Sequence, residues 1–153
     1  MYAYILIKLI GSDLVGASYL SIFSSSGDAT PSKSIIHASH VTADSGTGLV
    51  HCAPAHGAED YRAFQSLNLL SSPDSIVCHV DARGAFSSRV SDVVGSEIAQ
   101  HLVGKEVLGD GGKAIVQALQ TLDCDGKGRL IKIQRIKHRY PYDWKTNKPI
   151  IVT

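Results

Sequence analysis

The amino-acid sequence predicts a mixed α/β domain in which several short strands are interleaved with two or three helices. Three observations carry that expectation. Short apolar runs are bounded by clusters of Gly, Pro and Ser, the punctuation of strands and turns. Two other stretches repeat apolar residues every three or four positions, the helical period. The 153 residues are 44% hydrophobic and 19% charged, which suits one ordinary core and excludes a disordered chain, a collagen or a coiled coil.

The elements follow in order. Met1 to Ile10 is an apolar run with Lys8 inside it and no basic flank; it is too short to span a membrane and lacks the build of a signal peptide, so a buried strand is expected. Gly11 to Asp13 is a turn, and Leu14 to Phe23 is a mixed apolar segment broken by Gly16. Ser24 to Lys33 is a polar loop. Ile35 to Val41 and Gly48 to Ala53 read as strands, the second bounded by Gly46-Thr47-Gly48 and by Pro54.

Glu59 to Asn68 places Tyr61, Phe64 and Leu67 three apart behind two acids. Acids suit the positive end of a helix, so a helix is expected. Ser75 to Val80 reads as a short strand leading into a turn, Asp81 to Gly84. Lys113 to Leu122, preceded by Gly111-Gly112, puts Ile115, Ala118, Leu119 and Leu122 on one face of a second helix. Asp123 to Gly126 stops it. Ile131 and Ile133 alternate with Lys132 and Gln134, a half-buried strand with a basic outer face. There is no internal repeat and no interdomain linker, so residues 1–153 read as a single domain.

Cys52, Cys78 and Cys124 form an odd, widely spaced set without a CxxC pair. That argues against a disulfide framework or a thiolate zinc site, and for a reducing compartment. The net charge of +1 hides an asymmetry: residues 1–126 hold seven Lys/Arg against thirteen Asp/Glu, whereas residues 127–153 hold eight against Asp143 alone. Such a basic arm could follow a phosphate backbone, with Lys132, Arg135 and Lys137 as the candidates, or could be a solvated strand face.

The chemistry concentrates in Gly46 to Tyr61, where a glycine turn, a strand ending in His51, a proline loop and a helix opening with Asp60 converge. Strand-loop-helix junctions of this kind build pockets in α/β folds. Asp60 falls in the first helical turn, where it could grip a cation such as a primary ammonium or simply cap its own helix. His51 could be a catalyst or a satisfied core histidine. A metal site on His37, His40, His51 and His56 is disfavoured, because residues three apart on a strand face opposite ways. No GxSxG elbow marks a nucleophile and no GK[ST] follows the glycine turn, so neither acyl-enzyme chemistry nor triphosphate binding is supported.

The stretch GTGLVHCAPAHGAEDY (Gly46 to Tyr61) resembles the signature of the editing domain inserted in isoleucyl-tRNA synthetases, with cousins in the valyl and leucyl enzymes. LVGASYLSIF (Leu14 to Phe23) and HRYPYDWKTNKP (His138 to Pro149) are similar to two further family segments in the same order. The Tyr142-Asp143-Trp144 form resembles the mitochondrial branch. The resemblance implies a mixed, barrel-like sheet with two to three helices. It also implies hydrolysis of valine misattached to isoleucine tRNA, with Asp60 holding the α-ammonium and His51 at the side-chain pocket. Gly46, Thr47 and Gly48 would form the turn beside that pocket, and His56 and Tyr140 would complete it.

No covalent intermediate, metal or cofactor is implied; ATP would serve only the synthetic domain. The implied partners are the 3′ end of isoleucine tRNA and the rest of the synthetase. A monomer without membrane attachment is expected, in the mitochondrial matrix or alternatively the cytoplasm. The family's threonine-rich peptide does not precede the first strand, so the chain resembles a piece truncated at both ends. Two other classes stay open: a non-catalytic module binding the tRNA acceptor end, and a metal-dependent hydrolase using His37, His40, His51 and His56.

Overall fold

The computed structural model describes residues 9–24, 32–44, 47–72, 76–124, 127–134 and 139–153, with the side chains of 123, 124, 127 and 128 left aside. The expected strand over Met1 to Ile10 and the polar loop from Ser24 therefore lie mostly outside the described residues. Gly11–Leu14 is a single 3₁₀ turn. Gly16 adopts a positive φ of 85°, a conformation open to glycine at little cost. It leads into β1 (Ser18–Tyr19), which pairs antiparallel with β2 (Lys33–Ser34) in the register Ser18 to Ser34 and Tyr19 to Lys33.

Two expected strands do not form. Beyond Ile35, whose amide donates to the Ala17 carbonyl at 2.9 Å, the chain bends through a turn closed by Val41 N–H on Ala38 O at 3.2 Å. Residues 48–53 lie in no ladder, and Leu49 and Val50 are exposed. A strand needs a neighbouring edge to satisfy its amides. Among the described residues none is supplied here, and the Ala53 amide turns to the Asp60 carboxylate at 2.8 Å instead.

The expected helix at Glu59 is present as α1 (Ala58–Ser66), with Glu59 and Asp60 in its first turn. The turn at Asp81 is also present. Asp81 Oδ1 accepts the amides of Arg83 and Ala85 at 2.9 and 3.0 Å. Those amides, with the Arg83 guanidinium, hold its carboxyl below the ordinary value. The expected strand before it reduces to one bridge, Val80 to Phe86.

Most of the core sits in residues 88–102, where the sequence reading assigned nothing. A 3₁₀ turn, Ser88–Val90, runs into α2 (Ser91–Val94). Gly95, at φ 79°, breaks the chain before α3 (Ser96–Ala99). Val90, Val94, Ala99 and Leu102 meet Ala114 of α4 (Asp110–Thr121), with Phe23, Phe86 and Ile115 packed around them.

Helix α4 begins three residues before the expected start and takes Gly111-Gly112 into its first turn. The reason is steric: a Cβ on Gly111 would lie 2.7 Å from the Glu106 carbonyl oxygen and 2.8 Å from Cε2 of Phe86. The glycine lets the helix approach that closely. The face of Ile115, Ala118, Leu119 and Leu122 is half-buried, as its spacing predicts.

After α4 comes a second antiparallel ladder, β3 (Asp123–Cys124) with β4 (Lys127–Gly128). The expected half-buried strand at residues 131–134 is absent, and Ile131, Lys132, Ile133 and Gln134 are all exposed. Alternating polarity becomes a strand only where a surface exists to bury one face. The barrel-like sheet is likewise not formed among the described residues, which hold two separate two-stranded ladders and three isolated bridges. The fold is mixed helix and strand with small sheets.

Candidate functional site

The geometry begins at Pro54. Residues 53–56 form a turn in which the His56 amide donates to the Ala53 carbonyl at 2.9 Å. Pro54 occupies its second position, where a fixed φ is pre-set for the bend. Gly57 then takes the N-cap position of α1 in an extended conformation. Asp60, third in the helix, folds its side chain back over this loop. Its Oδ2 accepts the Ala53 amide at 2.8 Å, and its Oδ1 lies 3.1 Å from Nε2 of His40. The Asp60 side chain is 17% exposed and that of His40 22%.

Cys52 is a third neighbour. Burial first, then the charge of Asp60 and a hydrogen bond to it, push the thiol up to about 11. A thiol so raised stays protonated and is a donor rather than a nucleophile. Among the described residues no group of three or more His, Cys, Asp or Glu side chains could hold a metal.

Two hollows adjoin the same loop. One, of about 440 Å³, is lined by Pro54, Ala55, Gly57, Tyr61 and Arg62 among others. The second, of about 380 Å³, is mainly apolar and is lined by His56, Val80, Val107, Tyr140, Ile150 and Val152 among others. His56 Nδ1 lies 2.6 Å from the Val152 carbonyl, so the imidazole ties the loop to the C-terminal segment. Tyr140 packs edge-on to Tyr142, with ring centroids 6.5 Å apart.

The structure therefore brings His56 and Tyr140 together. It places Asp60 inward against its own loop, lining neither hollow, and His51 exposed. Gly48 has φ 75°, and Thr47 Oγ1 accepts the Leu49 amide at 3.2 Å, so both build a local turn. Gly46, Arg135 and Lys137 lie outside the described residues. Lys132 is exposed. Arg129, by contrast, is drawn off the basic arm by a hydrogen bond from its guanidinium to the Ile22 carbonyl.

Sequence reasoning missed His40. Its partner stands twenty positions away and no local spacing encodes the pair. The HASH pattern named it only as a possible metal ligand, in a reading disfavoured by strand geometry, and not as a partner of Asp60.

Comparison with known proteins gives the relationship. The chain is 41% identical over 118 residues to the isoleucine–tRNA ligase of Cyanothece sp., a match covering 77% of this chain and 10% of that protein. It is 34% identical over 148 residues to the cytoplasmic isoleucine–tRNA ligase of Arabidopsis thaliana, covering 96% of this chain and 11% of the relative. This chain is homologous to a segment of the isoleucine–tRNA ligases.

The mitochondrial isoleucine–tRNA ligase of Macaca fascicularis is 41% identical over 118 residues, 77% of this chain and 10% of the relative. The isoleucine–tRNA ligase segment thus spans about a tenth of the length of the relatives it matches, and these include mitochondrial and cytoplasmic forms. No protein-family model matches it. No described helix is long and apolar enough to cross a membrane.

Proposed function

We propose that residues 1–153 are the editing domain of an isoleucine–tRNA ligase and hydrolyse valine misattached to isoleucine tRNA. The observation that carries this reading is the carboxylate of Asp60. It is held at a helix N-terminus by the Ala53 amide and His40, on the loop whose His56 lines an apolar hollow.

Each carboxylate oxygen has two lone pairs. The Ala53 amide, His40 and the Cys52 thiol take three of these four sites, so one remains for an ammonium. Fixing the ammonium places the ester for attack by water. The water oxygen bonds to the carbonyl carbon, the bond from that carbon to the ribose oxygen breaks, and the water's proton ends on the ribose hydroxyl. The products are free valine and uncharged tRNA.

Valine and isoleucine differ by one methylene, worth about 1–3 kcal/mol in an apolar pocket, isoleucyl enzymes being the standard instance of that limit. A second site is the remedy. Asp60 cannot discriminate, because both amino acids carry the same ammonium. Discrimination falls to a wall, for which the sequence offers His51 and the structure offers the hollow of His56, Tyr140 and Val107.

The partners in this reading are isoleucine tRNA and the rest of the synthetase, the protein acts as a monomer, and the resemblance of the Tyr142-Asp143-Trp144 form to the mitochondrial branch favours the mitochondrial matrix over the alternative, the cytoplasm. A second reading, tRNA binding without catalysis, draws on exposed Lys132, Arg139 and Lys148 and on the exposed Trp144 beneath Lys145. One experiment separates them. In the full-length ligase, Asp60→Ala is expected to abolish release of valine from mischarged isoleucine tRNA while leaving isoleucine activation intact. Equal release by parent and variant refutes the editing assignment, and absence of release from the parent favours the binding reading.

A further inference from the structure

We infer that His40 is a positioning residue for the Asp60 carboxylate, an inference that rests on the editing reading of Asp60. Nε2 of His40 lies 3.1 Å from Oδ1, and the Ala53 amide donates to Oδ2 at 2.8 Å. With His40 on Oδ1 and the Ala53 amide on Oδ2, the plane of the carboxylate is fixed as well as its position, because rotation about its last torsion breaks both contacts together. Asp side chains otherwise rotate broadly there.

The pair is mostly shielded from solvent, at 22% and 17% exposure, so water competes for it less than for a surface ion pair. An imidazole with its proton on Nε2 donates to Oδ1 whether neutral or charged. His40 stands outside α1, whose first turn already carries Gly57 as N-cap and the acids Glu59 and Asp60. Its contact therefore bears on where the carboxylate points rather than on whether the helix forms. The Ala53 amide and the Cys52 thiol approach the carboxylate from the preceding loop, and His40 is its contact from a more distant part of the chain.

The test is the deacylation of isoleucine tRNA charged with valine by the full-length ligase and its His40→Ala, His40→Gln and Asp60→Ala variants. The ammonium contact is made alike in ground and transition states, so losing its orientation raises KM more than it lowers kcat. His40→Ala is expected to raise KM about tenfold, the worth of one hydrogen bond to a charged group, with kcat little changed. His40→Gln, which keeps an amide donor, is expected to recover most of the loss. A His40→Ala variant with the parent's KM, or a loss that His40→Gln does not recover, overturns the positioning role while Asp60→Ala still abolishes deacylation. Undiminished deacylation by Asp60→Ala overturns the editing reading, and the role of His40 with it.

Discussion

The amide of Ala53 donates to Oδ2 of Asp60 at 2.8 Å across a seven-residue separation. A single carboxylate thereby closes the loop that the proline turn opens and takes up a backbone donor that a sheet would otherwise pair. The same contact turns Asp60 inward.

Gly57 gives the sharpest check on this arrangement. A Cβ there would lie 2.9 Å from Oδ2 and 3.2 Å from Cγ of Asp60. Its φ of −126° is open to any residue, so Gly57→Ala imposes no backbone strain. The carboxylate must move instead. Deacylation is expected to fall about tenfold or more, as misplacement of a binding group costs, while the far-ultraviolet circular dichroism stays unchanged.

Cys52 reports on the same carboxylate from another side. Its thiol titrates at about 11 rather than 9.0, first through burial and then through Asp60. At pH 8 its alkylation by iodoacetamide is expected to run about a hundredfold slower than that of an ordinary thiol, in proportion to thiolate. Asp60→Asn should lower the titration midpoint without restoring the ordinary value, because burial is the larger cause. The sign for stability follows: the folded value exceeds the unfolded one, so the contribution is full below about 9 and is lost as pH rises through about 11. A titration unmoved by Asp60→Asn would show that the thiol and carboxylate do not interact.

Local signals were legible and non-local ones were not. Helix α1 announces itself by two acids and a three-residue apolar spacing, and it forms within two residues of the expected limits. The start of α4 was misplaced because Gly111-Gly112 reads as a breaker, whereas the glycine there answers to Phe86 and Glu106, whose proximity no local pattern records. Helices α2 and α3 escaped because Gly95 divides them into single turns too short to show a period.

The expected strands at 35–41, 48–53 and 131–134 failed for one shared reason: alternation and β-branching describe a half-buried surface, and a strand exists only beside a partner. At the site, the placement of Asp60 in a first turn could be read from its neighbours, the meeting of His56 with Tyr140 was implied only by family resemblance, and His40 required the tertiary fold.

Leu102 is the only large side chain fully buried among the described residues, and it joins Val90, Val94, Ala99 and Ala114 in a small core. Leu102→Ala is expected to cost about 2–5 kcal/mol, the transfer loss plus the cavity left behind. Against a typical total of about 5–15 kcal/mol, that is a large share of a domain whose other apolar side chains are so often exposed. The midpoint of urea unfolding measures it, and a shift under about 1 kcal/mol would place the stabilising core elsewhere.

The basic arm makes the last expectation. Each lysine or arginine that neutralises a phosphate releases a counterion, so the logarithm of affinity falls with the logarithm of salt by about 0.7–0.9 per contact. Replacing Lys132, Arg135 and Lys137 with Gln is expected to weaken isoleucine tRNA binding and to flatten that slope by about two units. Arg129→Gln is the contrast, since its guanidinium is engaged by the Ile22 carbonyl and its removal should leave the slope alone. Binding of the full-length ligase to labelled tRNA, titrated at several salt concentrations, measures both. An unchanged slope in the triple variant would move the phosphate contacts off this arm, and equal flattening by Arg129→Gln would turn that guanidinium toward the RNA.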